Sequence, residues 1–259
     1  MPESPRASPS SLRNRTAIVT GAGSGIGRAV AEMYAGRGAR LIVSDIAEDH
    51  GRETVRRIAD AGGDAHFVRA DVASADDCRA LVDAALSKYG RLDIACNNAG
   101  ISGEAKLTGE YGIEAWNRVI AINLSGVFYG MRWQIPAMLK TGGGSIVNVA
   151  SILGQVGFAT ACAYVSAKHG VLGLTKNAAI EYATQGIRVN AVGPAFIRTR
   201  LIAALENDPQ SLDMLVSLHP MGRLGESNEV AELVTFLSSD AASFMTGGYY
   251  PVDGGYLAR

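Results

Sequence analysis

The 259-residue sequence has only three cysteines, Cys78, Cys96 and Cys162, far apart and without a CxxC pair. An odd, dispersed set argues against a disulfide framework and against a zinc ribbon, and it fits a reducing cytoplasm. The four histidines, His50, His66, His169 and His219, show no ligand spacing, so no metal site is expected. Charge of neither sign is in excess: 24 Lys and Arg stand against 25 Asp and Glu. That balance argues against a nucleic-acid-binding surface. No apolar run reaches the roughly 18 residues of a membrane span, and no membrane partner is expected. Residues 1–15 hold three prolines and four serines but no apolar stretch of the secretory type. They read as a disordered N-terminal extension.

What the chain does have is glycine, 31 residues of 259, against an average near 7%. Without a collagen-like period, that excess points to tight turns or to close backbone approach to a ligand. Short β-rich runs recur at 16–20, 40–45, 66–70, 92–97, 145–149, 188–192 and 249–252. Between the first four lie segments with apolar residues at helical spacing, such as Val55, Ile58 and Ala59, or Cys78, Leu81, Val82 and Ala85. Strand–helix alternation of this kind predicts an α/β fold, a parallel sheet with helices on both faces. The strands are nearly continuous apolar runs, as strands covered on both sides are. Residues 16–259 show no linker or repeat and read as one domain. Only 199–225, with Pro209, Pro220, Gly222 and Gly225, breaks the pattern and reads as a substrate lid.

Four places along this pattern carry polar chemistry. After the first strand, Gly21-Ala22-Gly23-Ser24-Gly25-Ile26-Gly27 leads into a helix. Such a turn offers backbone N–H groups and a helix N-terminus to a pyrophosphate, although glycine-rich turns also serve plain packing. Asp45 follows Gly25 by 20 residues at the end of the second strand. A carboxylate there accepts hydrogen bonds from an adenosine ribose and repels a 2′-phosphate, which favours NAD over NADP. The other reading of Asp45 is a helix cap, and both can hold at once. Asp71 and Val72 close the third strand, where an adenine edge would lie; Asp71 can equally end the strand before a helix capped by Ser74. Asn97-Asn98-Ala99-Gly100 ends the fourth strand at the carboxyl edge, where open α/β sheets bind ligands, and also suits any tight turn.

An acid–base centre is read from four further residues. Tyr164 and Lys168 stand four apart in the Ala-rich stretch 161–182, so on a helix they share one face. A tyrosine of pKa about 10 is a poor base at neutral pH unless a nearby cation stabilises its phenolate. Ser151 lies 13 residues upstream of Tyr164, just past a strand, where its hydroxyl can hold a carbonyl oxygen while Tyr164 moves the proton. Asn123, in the helical stretch 116–138, is a buried amide that either bonds the main chain or holds a water relaying protons from Lys168.

Thr20-Gly21-x-x-x-Gly25-x-Gly27, Asn97-Asn98-Ala99-Gly100, Asn123, Ser151, Tyr164-x-x-x-Lys168 and Gly193-Pro194 together resemble the short-chain dehydrogenase/reductase family, in its order and spacing. The resemblance implies a single Rossmann-type, doubly wound domain with a seven-stranded parallel sheet. It also implies hydride transfer between a nicotinamide and a hydroxyl or carbonyl group. Tyr164 would be the general acid/base and Ser151 the residue that orients the substrate oxygen. Lys168 would bind the nicotinamide ribose and Asn123 would anchor a relay water. The implied NAD site takes in Gly21, Ser24, Gly25, Ile26, Gly27, Asp45, Asp71, Val72, Asn98, Ala99, Gly100, Tyr164, Lys168, Pro194, Ile197 and Thr199. Similar proteins are commonly homotetramers built on their long helices and last strand, and the resemblance implies the same assembly. One departure is Pro194-Ala195, where the family usually has Pro-Gly; the methyl restricts the backbone at the nicotinamide segment.

For the small-molecule substrate, Ser151, Leu153, Phe158, Tyr164 and Phe196 are the expected contacts, a mainly apolar set that suits a secondary alcohol or ketone. The alternative is a 3-oxoacyl-thioester reductase acting on an acyl carrier protein, for which Arg198 and Arg200 are the only close basic pair. From other classes, a methyltransferase accounts for the glycine loop but not for Tyr164, Lys168 and Ser151 together. A cofactor-sensing binding protein would have no need of the four polar residues.

Overall fold

The architecture is that of a computed structural model, which describes residues 11–258. Seven strands form one sheet: β1 (Thr16–Thr20), β2 (Arg40–Asp45), β3 (Asp64–Arg69), β4 (Ile94–Asn97), β5 (Gly144–Val149), β6 (Ile187–Pro194) and β7 (Tyr249–Val252). Their order is β3-β2-β1-β4-β5-β6-β7, and every neighbouring pair is parallel. The order reverses beside β1, whose neighbours are β2 and β4. A crevice therefore opens at the carboxyl ends of β1 and β4, the place where open α/β sheets hold ligands.

Helices cover both faces, and the strands dictate which residues they meet. Successive strand side chains point to opposite faces. Ala17, Val19, Leu41, Val43, Cys96 and Val147 pack with α1 (Gly25–Gly36), α2 (Glu48–Asp60) and α9 (Ser227–Ser238) through Val30, Tyr34, Ile58, Val230 and Val234. The intervening Ile18, Ile42, Ala95, Ile146 and Val189 pack with α3 (Ala75–Tyr89), α5 (Gly126–Lys140) and α6 (Cys162–Tyr182) through Leu81, Val127, Met131, Met138 and Val171. Burial on both sides is why these strands read as continuous apolar runs.

Two expectations change in detail. Residues 11–15 are not a disordered extension: Leu12 is buried in the core, its N–H donates to the Arg37 carbonyl at 3.0 Å, and Arg15 bridges Asp93 and Asp240. The packed domain thus starts before Thr16, and the part of that expectation on residues 1–10 lies outside the described residues. The stretch 116–138 is not one regular helix. It consists of α4 (Ile113–Ile120), a single π-turn (Ala121–Ser125) and α5. The segment 199–225 folds into two short helices, α7 (Ala203–Glu206) and α8 (Pro209–Ser217), held by a small apolar cluster of Ile202, Leu215 and Leu224. Among the described residues no helix is long and apolar enough to cross a membrane.

Candidate active site

At the carboxyl edge a cleft of about 490 Å³ runs from the glycine loop to Ser151, Tyr164 and Lys168. Gly21 adopts φ +62°, and a Cβ there would lie 2.8 Å from the Ala99 Cα. At Gly27, in the first turn of α1, a Cβ would lie 2.2 Å from the Gly21 carbonyl oxygen. Only glycine allows the loop to fold this tightly and bring the N-terminus of α1 to the cleft, where backbone N–H groups favour an anion. The loop is stitched in from two sides. Asn98 donates through Nδ2 to the Thr20 and Gly21 carbonyls at 2.9 and 3.2 Å, and the Thr20 hydroxyl accepts the N–H groups of Asn98 and Ala99. Asp45 accepts the Gly23 N–H at 2.8 Å through one oxygen and the Ala47 N–H at 2.9 Å through the other. It therefore ties the loop and turns the chain toward α2 while lining the cleft. Asp71 similarly accepts the Ala73 N–H at 3.0 Å, while Ser74 caps α3. Asp71, Val72, Ser24, Gly25, Ile26, Ala99 and Gly100 all line the cleft.

At the other end, Ser151 is buried just past β5. Its Oγ accepts the Leu153 N–H at 3.2 Å and lies 3.4 Å from the Pro194 carbonyl. The Ser151 hydroxyl also hydrogen-bonds the Tyr164 phenol, which pulls the phenol's pKa down, but desolvation is the larger effect and leaves it above its usual value. Lys168 is buried too, and its Nζ donates to the Val149 carbonyl at 2.7 Å. Burial pushes its pKa down to about 8. The expected lowering of Tyr164 by the Lys168 charge does not dominate in the protein itself. The ammonium lies 5.5 Å from the Tyr164 ring centroid and is bonded to a strand end. Asn123, inside the π-turn, uses both arms on one residue: Nδ2 donates to the Ile101 carbonyl at 2.7 Å and Oδ1 accepts the Ile101 N–H at 2.9 Å. Of the two options read from the sequence, it bonds the main chain. One N–H and one lone pair remain on that amide, close to Gly100, where a Cβ would meet both Asn123 Oδ1 and Lys168 Nζ.

Three residues expected at the substrate are not among the cleft's lining: Leu153, Phe158 and Phe196. Leu153 is buried in the turn that holds Ser151. Past β6 the chain bends at Phe196; Pro194, Ala195 and Ile197 line the cleft, while Phe196 lines a neighbouring cavity of about 90 Å³. The Phe196 ring there meets those of Phe158, His219 and Tyr256. Ala195 causes no strain, because its N–H continues the β6–β7 ladder to the Val252 carbonyl at 3.1 Å. Thr199 lies against Gly25. Sequence reasoning missed Arg118 and offered Arg200 only with Arg198 as a basic pair for a carrier protein; Arg118 and Arg200 line the cleft and Arg198 does not. Arg200 reaches His50, with Nη1 at 2.9 Å from Nε2, beside the Gly23–Asp45 contact. No local signal marks a contact across 150 positions. Cys78 and Cys96 are buried, which pushes each thiol up to about 12 and leaves it unreactive.

Residues 21–257 match the family profile described as enoyl-(acyl carrier protein) reductase. The chain is 49% identical over 248 residues to a cyclohexanol dehydrogenase of Acinetobacter sp. (strain SE19), covering 96% of this chain and 97% of that one. It is 46% identical over 244 residues to a cis-4-hydroxycyclohexanecarboxylate dehydrogenase of Sinomonas cyclohexanicum, covering 94% and 97%. A crystal structure from Beutenbergia cavernae, of a candidate NAD(P) dependent gluconate 5-dehydrogenase with NADP at low occupancy, superposes with a TM-score of 0.93 at 38% identity, covering 97% and 100%. Sheet order, cleft and these matches agree, and the chain belongs to the short-chain dehydrogenase/reductase family.

Proposed function

We propose that this oxidoreductase, which acts on CH–OH groups, interconverts an apolar cyclic secondary alcohol and its ketone with NAD(H). The observation that carries the reading is the meeting of Ser151, Tyr164 and Lys168 at one end of a cleft whose other end is the glycine loop. The ring preference draws on relatives whose substrates are cyclohexane alcohols. Acyl-carrier-protein reduction is the less favoured reading, since those relatives are alcohol dehydrogenases.

The residues present fit a nicotinamide dinucleotide. The glycine loop and the N-terminus of α1 would hold the pyrophosphate, Asp45 the adenosine ribose, and Asp71 and Val72 the adenine side. Asn98, Ala99, Gly100, Lys168, Pro194, Ile197 and Thr199 would flank the nicotinamide half. When bound, the nicotinamide exchanges a hydride with the carbinol carbon. Ser151 Oγ accepts the Leu153 N–H and donates its own proton to the Pro194 carbonyl at 3.4 Å, a long bond that it would exchange for one to the substrate oxygen. In oxidation Tyr164 takes the hydroxyl proton as the C–H hydride leaves and the C=O forms; in reduction it returns that proton. Lys168, with its pKa near 8, passes protons on at working pH, and the remaining polar capacity of the Asn123 amide holds a relay water. A homotetrameric, cytoplasmic enzyme completes the proposal; the assembly is supported by exposed apolar side chains on the long helices, Phe128 on α5 and Ile180 on α6.

The test is a purified-enzyme screen of cyclohexanol, substituted cyclohexanols and a 3-oxoacyl thioester with both coenzymes, read by absorbance of the reduced nicotinamide. Ring alcohols are expected to turn over, with NAD the better acceptor. Turnover confined to the thioester would overturn the proposal. The coenzyme preference has its own check: Asp45→Ser is expected to narrow the ratio of kcat/KM for NAD over NADP. A wild type that already prefers NADP, with Arg200 near the ribose end, would remove that role from Asp45.

A further inference from the structure

Ser151 is held by several hydrogen bonds, and one of them comes from the far edge of the sheet. Its carbonyl accepts the Gly154 N–H at 2.9 Å and the hydroxyl of Tyr249 at 3.1 Å, while its Oγ accepts the Leu153 N–H. Tyr249 stands on the edge strand β7 and pairs in register with Ala191 on β6. To reach Ser151 its ring crosses β6 at Gly193. A Cβ at Gly193 would lie 2.0 Å from the Tyr249 oxygen and 2.3 Å from its Cζ. No other residue at 193 would let the ring pass, so a glycine on one strand and a tyrosine on the next make a single device.

The ladder explains why the device sits there. The last main-chain bond that β6 offers this segment is from the Ala150 N–H to the Val192 carbonyl at 2.9 Å. Beyond it the chain leaves the sheet with Ser151 at φ −176° and ψ 163°. A peptide just past the last rung has no strand neighbour to hold its orientation, and Tyr249 supplies one. Burial pushes the Tyr249 phenol up to about 12, so it remains a neutral donor across the working pH range.

We propose that Tyr249 is a positioning residue for the reaction: its hydrogen bond fixes the Ser151 peptide and thereby aims Ser151 Oγ at Tyr164 and at the substrate oxygen. The inference rests on the role given above to Ser151. Because the Ser151 hydroxyl pulls the Tyr164 pKa down, a loosened Ser151 lets that pKa rise. A tyrosine that merely fastened β7 to the sheet would change stability and leave this pH dependence where it was.

The experiment compares wild type, Tyr249→Phe, Ser151→Ala and the double variant on one ring alcohol, with thermal unfolding and binding of reduced nicotinamide followed for each. Tyr249→Phe is expected to lower kcat by about 5- to 30-fold, the scale of one well-placed hydrogen bond, with KM and coenzyme binding nearly unchanged. The alkaline rise of kcat with pH is expected to move to higher pH. In the Ser151→Ala background the same change is expected to cost little further rate, since the group it positions is gone. Equal losses in both backgrounds, or an unmoved pH profile, would overturn the proposal. Should Tyr249→Phe unfold, Tyr249→His is compared in its place for the same coupling. A wild type inactive on every alcohol would instead count against the reading of the site.

Discussion

Tyr164 shows how opposed effects decide the chemistry of one residue. Desolvation raises its phenol above the ordinary value and the Ser151 hydroxyl lowers it, with desolvation the larger. For alcohol oxidation the productive form is the phenolate. Its fraction grows as pH climbs toward that raised pKa, so kcat for oxidation is expected to rise with pH. Ketone reduction uses the protonated phenol and is expected to fall over the same window. Tyr164→Phe removes the acid/base group and nothing else of bulk, and turnover should drop by roughly 10²–10⁴-fold with NAD binding kept. Full activity in that variant would take Tyr164 out of the mechanism. Tyr164 and Lys168 were legible in the sequence because a helix turns a four-residue spacing into one shared face. Ser151 was legible because it follows a strand end. Tyr249 was not, since its contact with Ser151 spans 98 positions and depends on a glycine in a third segment.

Elements were legible where periodicity is the whole cause. β1, β2 and β7 have the bounds that their apolar runs predict, and α6 begins one residue after its predicted start. The π-turn that seats Asn123 had no such signal, because the apolar pattern of 116–138 suits an unbroken helix. Within this turn Asn123 faces inward and bonds Ile101, and π-turns are frequent at functional sites. A second irregularity stands just before α6, where Thr160 has φ +67°. For a β-branched residue the left-handed region is strained. Its backbone is held there by the Lys106 N–H, which donates to the Thr160 carbonyl at 3.1 Å. Asparagine tolerates this conformation better, so Thr160→Asn is expected to stabilise by about 1 kcal/mol and raise the thermal midpoint by about 2–4 °C. An unchanged or lower midpoint would show that the surrounding loop, and not the residue, sets the cost.

At the scale of the whole molecule, the sheet places a charge where a core should be. Alternation of strands and helices was enough to predict a parallel sheet covered on both faces, whereas the doubly wound, seven-stranded form rested on the family resemblance and no strand order was read. Neither told how deeply the order β1-β4-β5-β6 would bury Lys168 between α6 and the end of β5. The cost of that burial has a pH signature. Lys168 titrates near 8 in the folded protein and near 10.4 in an unfolded chain. Below about pH 8 both states carry the proton, and the fold bears the full penalty of a buried ammonium. Between about 8 and 10.4 the unfolded chain binds more protons than the folded one, so this residue makes stability rise with pH by roughly 3 kcal/mol in all. Phenols with raised pKa, Tyr164 and Tyr249 among them, work in the opposite direction above about pH 10, which is why the wild type alone cannot reveal the effect. Lys168→Met keeps length and apolar bulk and lacks the titration. Its thermal midpoint is expected to exceed that of the wild type at pH 7 and to lose the advantage steadily as the buffer is raised toward pH 10. A constant difference between the two proteins across that range would mean that the ammonium is solvated in the cleft, and that the fold bears no penalty for holding it beside Tyr164.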